Sequence, residues 1–121
     1  MRLHEQLLTR MNLVGRYGPG EVHINGRRLT DPLVVGPGFL LEEWVARIAV
    51  LTPEALAPAW EQQPRIVLLG SDDRPTEPLK GLRSHFADRQ IALEVMDLGA
   101  ACRTYNVLAQ EDRAVIALLF P

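Results

Sequence analysis

The chain has 121 residues and a formal net charge of −2, and 47% of its residues are hydrophobic while 23% are charged. This length and composition are typical of one globular domain and exclude a chain that is disordered throughout. Lys and Arg never occur in blocks longer than two residues, so we expect no nucleic-acid surface, which needs a dense positive footprint.

The cysteine content and the apolar runs indicate the compartment. The one cysteine, Cys102, cannot form an internal disulfide, which favours a reducing environment. No apolar run approaches the roughly 20 residues that a membrane span needs. Polar residues such as His4, Glu5 and Arg10 interrupt the first leucines, so no secretory signal is expected. We therefore predict a soluble cytoplasmic protein.

The chain is predicted to divide into an arm and a domain. Residues 1–20 end in a segment with three glycines and a proline, which interrupt regular structure, so they are expected to form a mobile arm. The remaining residues, 21–121, are predicted to form a single α/β domain.

The domain begins with a predicted hairpin. Residues 21–24 alternate polar and apolar side chains, and Asn25-Gly26 then favours a type I′ turn, which returns the chain through residues 27–30. A further strand is expected at residues 33–35, where Gly36-Pro37-Gly38 ends it.

Residues 39–51 fit two structures. The apolar residues from Leu40 to Leu51 line one helical face, but those from Trp44 to Val50 also alternate as they would in a strand. Periodicity alone does not decide between the two. The residues by themselves favour a helix by a small margin.

The second half of the chain is predicted to alternate helices and strands. Thr52 is placed to cap a helix that begins at Pro53 and runs to about residue 62. Three short apolar runs fit buried strands, at residues 65–70, 91–96 and 114–120. Two segments of helical character lie between them, at residues 79–89 and 100–110. This alternation implies crossover connections and a parallel sheet.

A candidate ligand site follows from this topology, because ligands of open α/β sheets usually bind at the carboxyl ends of parallel strands. We expect a concave pocket there, with candidate binding residues Ser71, Asp73, Asp97, Arg103 and Asn106. Arg103 and Asn106 lie three residues apart on one face of the last helix, near free amides that favour an anion or a peptide. The alternative is structural: Thr104 and Asn106 bond to neighbouring backbone and Arg103 pairs with a carboxylate such as Asp97.

Several motifs together resemble the Mth-domain family of unknown function over about residues 17–121. They are Asn25-Gly26, Trp44, residues 66–70, residues 101–108, Glu111-Asp112-Arg113 and residues 115–121. The Thr104-Tyr105-Asn106 core is the most specific of these. The resemblance implies a strand around Trp44. The chain departs from the family at Asp112, where Gly is common before the last strand, and at Gly99, where a capping Thr or Ser is often seen.

The combined prediction is an α/β fold in one compact domain. It has a mixed sheet, in which an N-terminal β-hairpin region is followed by a βαβαβαβ order with a parallel C-terminal part, and helices flank the sheet. Asp112 is expected to adopt a left-handed turn, which Asp tolerates less well than Gly.

The sequence contains no catalytic constellation. Cys102 is predicted in the first turn of a helix, where the pKa of a thiol falls, but no general base is placed beside it. Ser71 lacks the glycine-flanked elbow of a hydrolase nucleophile. The histidines lack ligand spacing and no phosphate-binding motif occurs, so we expect neither a metal nor a cofactor. The interpretation leans against an enzyme.

Two functions remain open. The first is a non-catalytic protein-binding or assembly-factor-like module, which the resemblance implies because a mitochondrial family member assembles a respiratory complex. It predicts an exposed apolar patch that includes Trp44, Phe39 or the hairpin. The second is a small-molecule-binding protein or enzyme that uses the carboxyl edge of the parallel strands. The expected partner is another protein, with no nucleic acid and no membrane span, and the chain is expected to be a monomer or a weak homodimer.

Overall fold

The computed structural model describes residues 11–44, 47–48, 51–73 and 77–121. Its regular elements follow the predicted α/β order and form two sheets with flanking helices. In chain order they are β1 Val14–Gly18, β2 Glu21–Ile24, β3 Arg27–Leu29, β4 Leu33–Gly36, β5 Phe39–Leu41, α1 Pro53–Trp60, β6 Ile66–Ser71, α2 Glu77–Asp88, β7 Ala92–Met96, α3 Leu98–Gln110 and β8 Val115–Phe120.

The larger sheet is mixed, with strand order β5-β4-β8-β6-β7. Strand β8 lies in its centre, and strand β6 pairs in parallel with both β8 and β7, so that Val67 is opposite Ile116 on one side and Leu93 on the other. Strand β4 runs antiparallel to β8 and to β5. The predicted mixed sheet with a parallel C-terminal part is therefore confirmed.

Each face of the larger sheet carries its own apolar layer. Residues of β8 alternate between them, so Val115 packs with α3 and the smaller sheet, while Ile116 packs with α1 and α2. This alternation follows from the two-residue period of a strand. It explains why the apolar runs of β6 and β8 are nearly continuous, because both of their faces are buried.

The smaller sheet contains β1, β2 and β3 in antiparallel order. Asn25 and Gly26 both have positive φ, 55° and 78°, as a type I′ turn requires. The hairpin predicted from the Asn-Gly pair is thus confirmed.

Strand β1 lies within the segment that was predicted to be a mobile arm. It pairs with β2, and the Asn12 side chain before it donates hydrogen bonds to the carbonyls of Gly36 and Phe39 at 3.1 and 3.0 Å. Among the described residues, regular structure therefore begins at residue 14 rather than at residue 21, because β2 supplies a partner that local patterns do not reveal. Residues 1–10 of the arm lie outside the described residues, so the arm remains a prediction for them.

The segment after β5 differs from both sequence interpretations. Strand β5 ends at Leu41, and Trp44 belongs to neither a helix nor a strand. The Trp44 backbone N–H donates to Pro32 O at 3.0 Å, and its indole N–H donates to Ala55 O at 2.7 Å. These contacts draw Trp44 out of strand pairing, so the strand predicted around it is wrong at this residue. Val45, Ala46, Ala49 and Val50 lie outside the described residues.

The caps of α1 and α3 are formed by side chains just before each helix. Thr52 Oγ1 accepts from Ala55 N at 3.2 Å, which confirms the predicted start of α1, and α1 ends at Trp60. Helix α3 starts two residues before its predicted position because Asp97 caps it, which corrects the assignment of that cap to Gly99. Asp112 has a φ of 62°, which confirms the left-handed turn before β8.

Strand β7 forms one edge of the larger sheet. Ala92 N donates to Arg65 O at 3.0 Å, so the polar backbone groups of Ala92 face β6 and those of Leu93 face away from it. The outward Leu93 carbonyl accepts a hydrogen bond from Arg83 Nη1 at 3.1 Å. The guanidinium of Arg83 in α2 therefore satisfies one of the backbone acceptors on the outer edge of β7.

Candidate functional site

A hollow of about 620 Å³ lies at the carboxyl ends of β6 and β8. Its walls come from the β1–β2 turn, the loop after β6 and the end of β8. Ser71 and Asp73 from the predicted set line it, together with apolar groups that include Phe120 and Ile48. The topological rule for open α/β sheets thus finds a cavity of ligand size at this edge.

The Ser71 hydroxyl is already engaged in the loop after β6. Its Oγ donates to Asp73 O at 2.6 Å and accepts from Asp73 N at 3.0 Å, and Ser71 is only 2% exposed. A hydroxyl carries one donor, so this one has no second proton to offer a ligand. The carboxylate of the exposed residue Asp73 stands at the rim of the hollow.

Two carboxylates occupy amides at the start of α3. Asp97 Oδ1 accepts from Ala100 N at 2.8 Å, and Asp72 Oδ1 accepts from Leu98 N at 3.2 Å. Unpaired amides and the helix dipole make a helix N-terminus attractive to anions. Here the chain supplies its own negative charge, which leaves less attraction for an external anion than the sequence indicated.

Arg103 pairs with a phenol rather than with the carboxylate considered in the sequence analysis. Its Nη1 donates to Tyr17 Oη at 2.6 Å, and this hydrogen bond is the main reason that the pKa of Arg103 is raised, with Asp97 adding a weaker effect. A side chain at Gly99 would crowd this pair, because its Cβ would lie 2.9 Å from Tyr17 Cε2. No local pattern connects Tyr17 to α3, so sequence reasoning missed this contact.

Asn106 holds strand β1 against α3. Its Oδ1 accepts from Val14 N at 2.9 Å and its Nδ2 donates to Val14 O at 2.8 Å, so the amide pairs with β1 as a neighbouring strand would. One residue earlier, the hydroxyl of buried Tyr105 donates to Asn12 O at 2.7 Å, and burial raises the pKa of Tyr105. The structural role considered for Asn106 is present, but its backbone partner is distant in sequence.

Cys102 is fully buried in the second turn of α3. Desolvation raises its pKa to about 12, although Arg103 lowers it and Asp72 raises it slightly further. Burial therefore outweighs the effect of the helix start, and the thiol is neutral at physiological pH.

The five predicted residues fall into separate places. Ser71 and Asp73 line the hollow, and Asp97 caps α3. Arg103 and Asn106 contact β1. The described part of the chain therefore does not gather the five around one cavity.

The exposed large hydrophobic side chains among the described residues are Tyr17, at 41% exposure, and Val107, at 55%. Tyr17 contacts Arg103, and Val107 follows Arg103 by one helical turn. We call Tyr17, Arg103 and Val107 the α3–β1 surface. Trp44 is only 5% exposed and packs on Phe120 with ring centroids 5.3 Å apart, so its predicted place in an exposed patch is wrong.

Two further features concern membrane-spanning helices and metal-binding clusters within the described ranges. No helix there is long and apolar enough to cross a membrane. Over the same residues, no group of three or more His, Cys, Asp or Glu side chains has a geometry that would hold a metal ion.

Comparison with known proteins gives matches along nearly the whole chain. A family profile described as "Protein of unknown function (DUF498/DUF598)" matches residues 14–120. A Bos taurus protein named NADH dehydrogenase (ubiquinone) 1 alpha subcomplex assembly factor 3 is 30% identical over 125 residues, which cover 93% of this chain and 68% of the relative. The Homo sapiens protein of that name is 32% identical over 100 residues, covering 81% of this chain and 54% of the relative. The chain thus spans about half to two thirds of these relatives.

Solved structures share the fold. A crystal structure of a Bordetella parapertussis protein is 29% identical with a TM-score of 0.80, and the match covers 92% of this chain and 96% of that one. A solution structure from Bordetella pertussis, described as a Mth938-like domain, is 26% identical with a TM-score of 0.63, over 100% of this chain and 92% of that one. These matches agree with the resemblance carried by the Thr104-Tyr105-Asn106 core.

Proposed function

The chain belongs to the Mth-domain family of proteins of unknown function (DUF498/DUF598), and from this premise we propose that it is a non-catalytic protein-binding module that assists the assembly of a larger complex. The names of the bovine and human relatives support this proposal. By analogy with them, the candidate partner is a subunit of an NADH dehydrogenase. Because a shared fold does not by itself carry a function, the proposal depends on the surface described next.

The α3–β1 surface is the observation that carries the proposal. Tyrosine and arginine are the residue types that most often anchor protein interfaces, and here they stand beside an exposed aliphatic side chain. The hydrogen bond between Arg103 and Tyr17 fixes both side chains before binding. A partner would therefore bind them with little further loss of side-chain entropy.

The burial and hydrogen bonding of the side chains that catalysis would need support the same proposal. The Cys102 thiol is buried and neutral, and the Ser71 hydroxyl is bonded within its own loop. Asp72 and Asp97 serve as helix caps. None of these groups is presented to a substrate as an activated nucleophile or a general base.

A matched pair of variants tests the surface. Val107→Arg places a bulky cation on the α3–β1 surface, whereas Ala87→Arg makes the same kind of change at an exposed position near the end of α2. The purified tagged chain and both variants would be used to capture partners from an extract of the cells that produce it, with NADH dehydrogenase subunits quantified by mass spectrometry. We expect Val107→Arg to reduce capture about tenfold and Ala87→Arg to leave it unchanged. Equal capture by all three proteins, or no capture at physiological salt, would contradict the proposal.

A second candidate function is favoured by the 620 Å³ hollow, which is large enough for a small molecule. A ligand that binds the folded chain raises its melting temperature. A thermal-shift screen against metabolites should therefore find a compound whose effect is reduced by Asp73→Asn at the rim. A chain that responds to none of them would leave only the protein-binding function.

A further inference from the structure

The amino edge of the parallel strands carries an arginine in each of the three loops that lead into β8, β6 and β7. Arg113 lies two residues before β8, Arg65 immediately before β6, and Arg89 three residues before β7. Since these strands are neighbours in the order β8-β6-β7, their loops lie side by side in the same order. With about 4.8 Å between neighbouring strands, the row extends over roughly 10 Å.

Backbone hydrogen bonds fix Arg65 in the middle of the row. Arg65 N donates to Ala114 O at 2.8 Å, and Arg65 O accepts from Ala92 N at 3.0 Å. The backbone of Arg65 is thus bonded to the loops on both sides of it. The position of Arg65 relative to its neighbours is set by the sheet rather than by a flexible loop.

The three arginines line two adjoining hollows. One, of about 380 Å³, has Arg65 and Arg89 in its wall, and the other, of about 440 Å³, has Arg65 and Arg113. Because Arg65 belongs to both, we treat them as one feature and call it the amino-edge groove. It lies at the opposite end of the strands from the 620 Å³ hollow.

The groove carries positive charge that no ion pair between described residues neutralises. The arginine–carboxylate pairs among the described residues join Arg27 to Glu42 and Arg28 to Glu21, and none includes the three arginines of the groove. Asp112 lies in the same wall as Arg65 and Arg113 without coming within ion-pair distance of either.

Arg89 differs from the other two arginines in how it is held. Its guanidinium carbon lies 3.9 Å from the centroid of the Trp60 ring, and its Nη1 donates to His85 O at 3.3 Å. Contact with an aromatic face orients the guanidinium and keeps its charge. Arg89 therefore forms a fixed end of the groove, while exposed Arg65 and Arg113 remain able to adjust.

We infer that the amino-edge groove binds an extended acidic segment of a partner protein. This inference rests on the proposed function in taking a protein as the partner, but it assigns a different surface. Guanidinium groups bind carboxylates in a bidentate manner, and carboxylates two residues apart in an extended chain are separated by about 6.8 Å, which lies within the roughly 10 Å over which the row extends. Three arginines are a small positive footprint for nucleic acid, whose binding needs a dense and extended one.

Fluorescence anisotropy with a labelled peptide of alternating glutamate and serine tests the inference directly. The matched peptide replaces each glutamate by glutamine. The groove variant is the double substitution Arg65→Gln and Arg113→Gln. Its control, Arg16→Gln with Arg28→Gln, removes the same charge from exposed positions of the smaller sheet.

We expect the unaltered chain and the control to bind the glutamate peptide equally, and the groove variant to bind it about tenfold more weakly. Rising ionic strength should weaken binding, and the glutamine peptide should not bind. A variant with Arg65→Lys and Arg113→Lys, which keeps the charge but not the bidentate geometry, should bind with intermediate affinity. Unchanged folding of each variant is checked by its melting temperature.

Four results would overturn the inference: no binding by the unaltered chain, equal binding by the groove variant, an equal loss in the control, or tighter binding of a single-stranded DNA of the same charge. Loss of partner capture in Val107→Arg, combined with absent peptide binding, would overturn the groove and leave the proposed function standing. Peptide binding without any Val107-dependent capture would support the groove and count against the α3–β1 surface.

Discussion

The two edges of the parallel strands use their polar side chains differently. At the carboxyl edge, Asp72 and Asp97 accept hydrogen bonds from amides of α3, and the Ser71 hydroxyl is bonded within its loop. At the amino edge, Arg65 and Arg113 line a groove and form no ion pair with any carboxylate of the described residues. The rule that ligands bind at carboxyl ends therefore locates a hollow correctly but does not reveal whether its polar groups are free. Four predictions test this difference.

The largest expected effect is at Gly70, near the carboxyl end of β6. A Cβ there would overlap the Cβ of Ala101 and lie 3.1 Å from Leu119 Cδ2, because α3 packs directly on the strand. Gly70→Ala should lower the free energy of unfolding by about 3 kcal/mol, measured by urea denaturation. The control is Gly81→Ala in α2, where the added Cβ meets nothing within 4 Å and should stabilise the protein by about 1 kcal/mol. Unchanged stability of Gly70→Ala would show that α3 does not close this edge.

The second prediction concerns pH and the Cys102 thiol. Its pKa is raised from 9.0 to about 12, so between these values the unfolded thiol ionises while the folded one stays neutral. The unfolded state then binds fewer protons, and the free energy of unfolding should fall as pH rises above 9, by at most about 1.4 kcal/mol per pH unit.

Cys102→Ala provides the comparison for this pH dependence, since it removes the thiol and keeps Tyr105. The difference in stability between the two proteins, measured by urea denaturation at increasing pH, should shrink above pH 9. Rapid modification of the folded thiol by a cysteine reagent near neutral pH would contradict its burial.

The third prediction tests whether the carboxyl-edge carboxylates are structural. Asp97→Ala removes the cap of α3 and should cost about 1 kcal/mol of stability, whereas Asp97→Asn retains an acceptor oxygen and should cost less. Thermal and urea unfolding of both variants measure this. If Asp97→Ala were as stable as the unaltered chain, Asp97 would serve something other than the helix.

The smallest effect is expected at the amino edge. Replacing Arg65 and Arg113 together by glutamine removes two exposed side chains without described ion pairs, so stability should change by no more than about 0.5 kcal/mol. Urea denaturation measures the change. A large loss would show that these arginines stabilise the fold and would remove the contrast between the two edges.

Features that depend on a few neighbouring residues could be predicted from the sequence. The Asn25-Gly26 turn, the Thr52 cap and the left-handed Asp112 each depend on chemistry within about one turn of chain. The parallel strands β6, β7 and β8 followed from apolar runs alternating with helical segments. These signals are local, so they are readable without knowing the tertiary contacts.

Features that depend on distant partners could not be predicted. Strand β1 contains two glycines, so its own sequence gives a weak prediction of a strand. Asn106, 92 positions further along the chain, holds it by hydrogen bonds to the backbone of Val14. The Arg103 side chain donates a hydrogen bond to the Tyr17 hydroxyl, 86 positions earlier in the chain. The indole of Trp44 donates a hydrogen bond to the backbone of α1. At the candidate site, the position of the hollow followed from topology, whereas the engagement of Ser71 and Asp97 required the coordinates.

The hydrogen bond from Arg83 to the outward carbonyl of Leu93 affects how copies of this protein can associate. An open strand edge is a template on which further chains add and on which aggregates grow. A second strand arriving at β7 would have to displace a guanidinium from that carbonyl before it could form a continuous ladder. Backbone pairing between copies at the β7 edge is thereby disfavoured, without any cost to the side-chain surfaces elsewhere on the molecule.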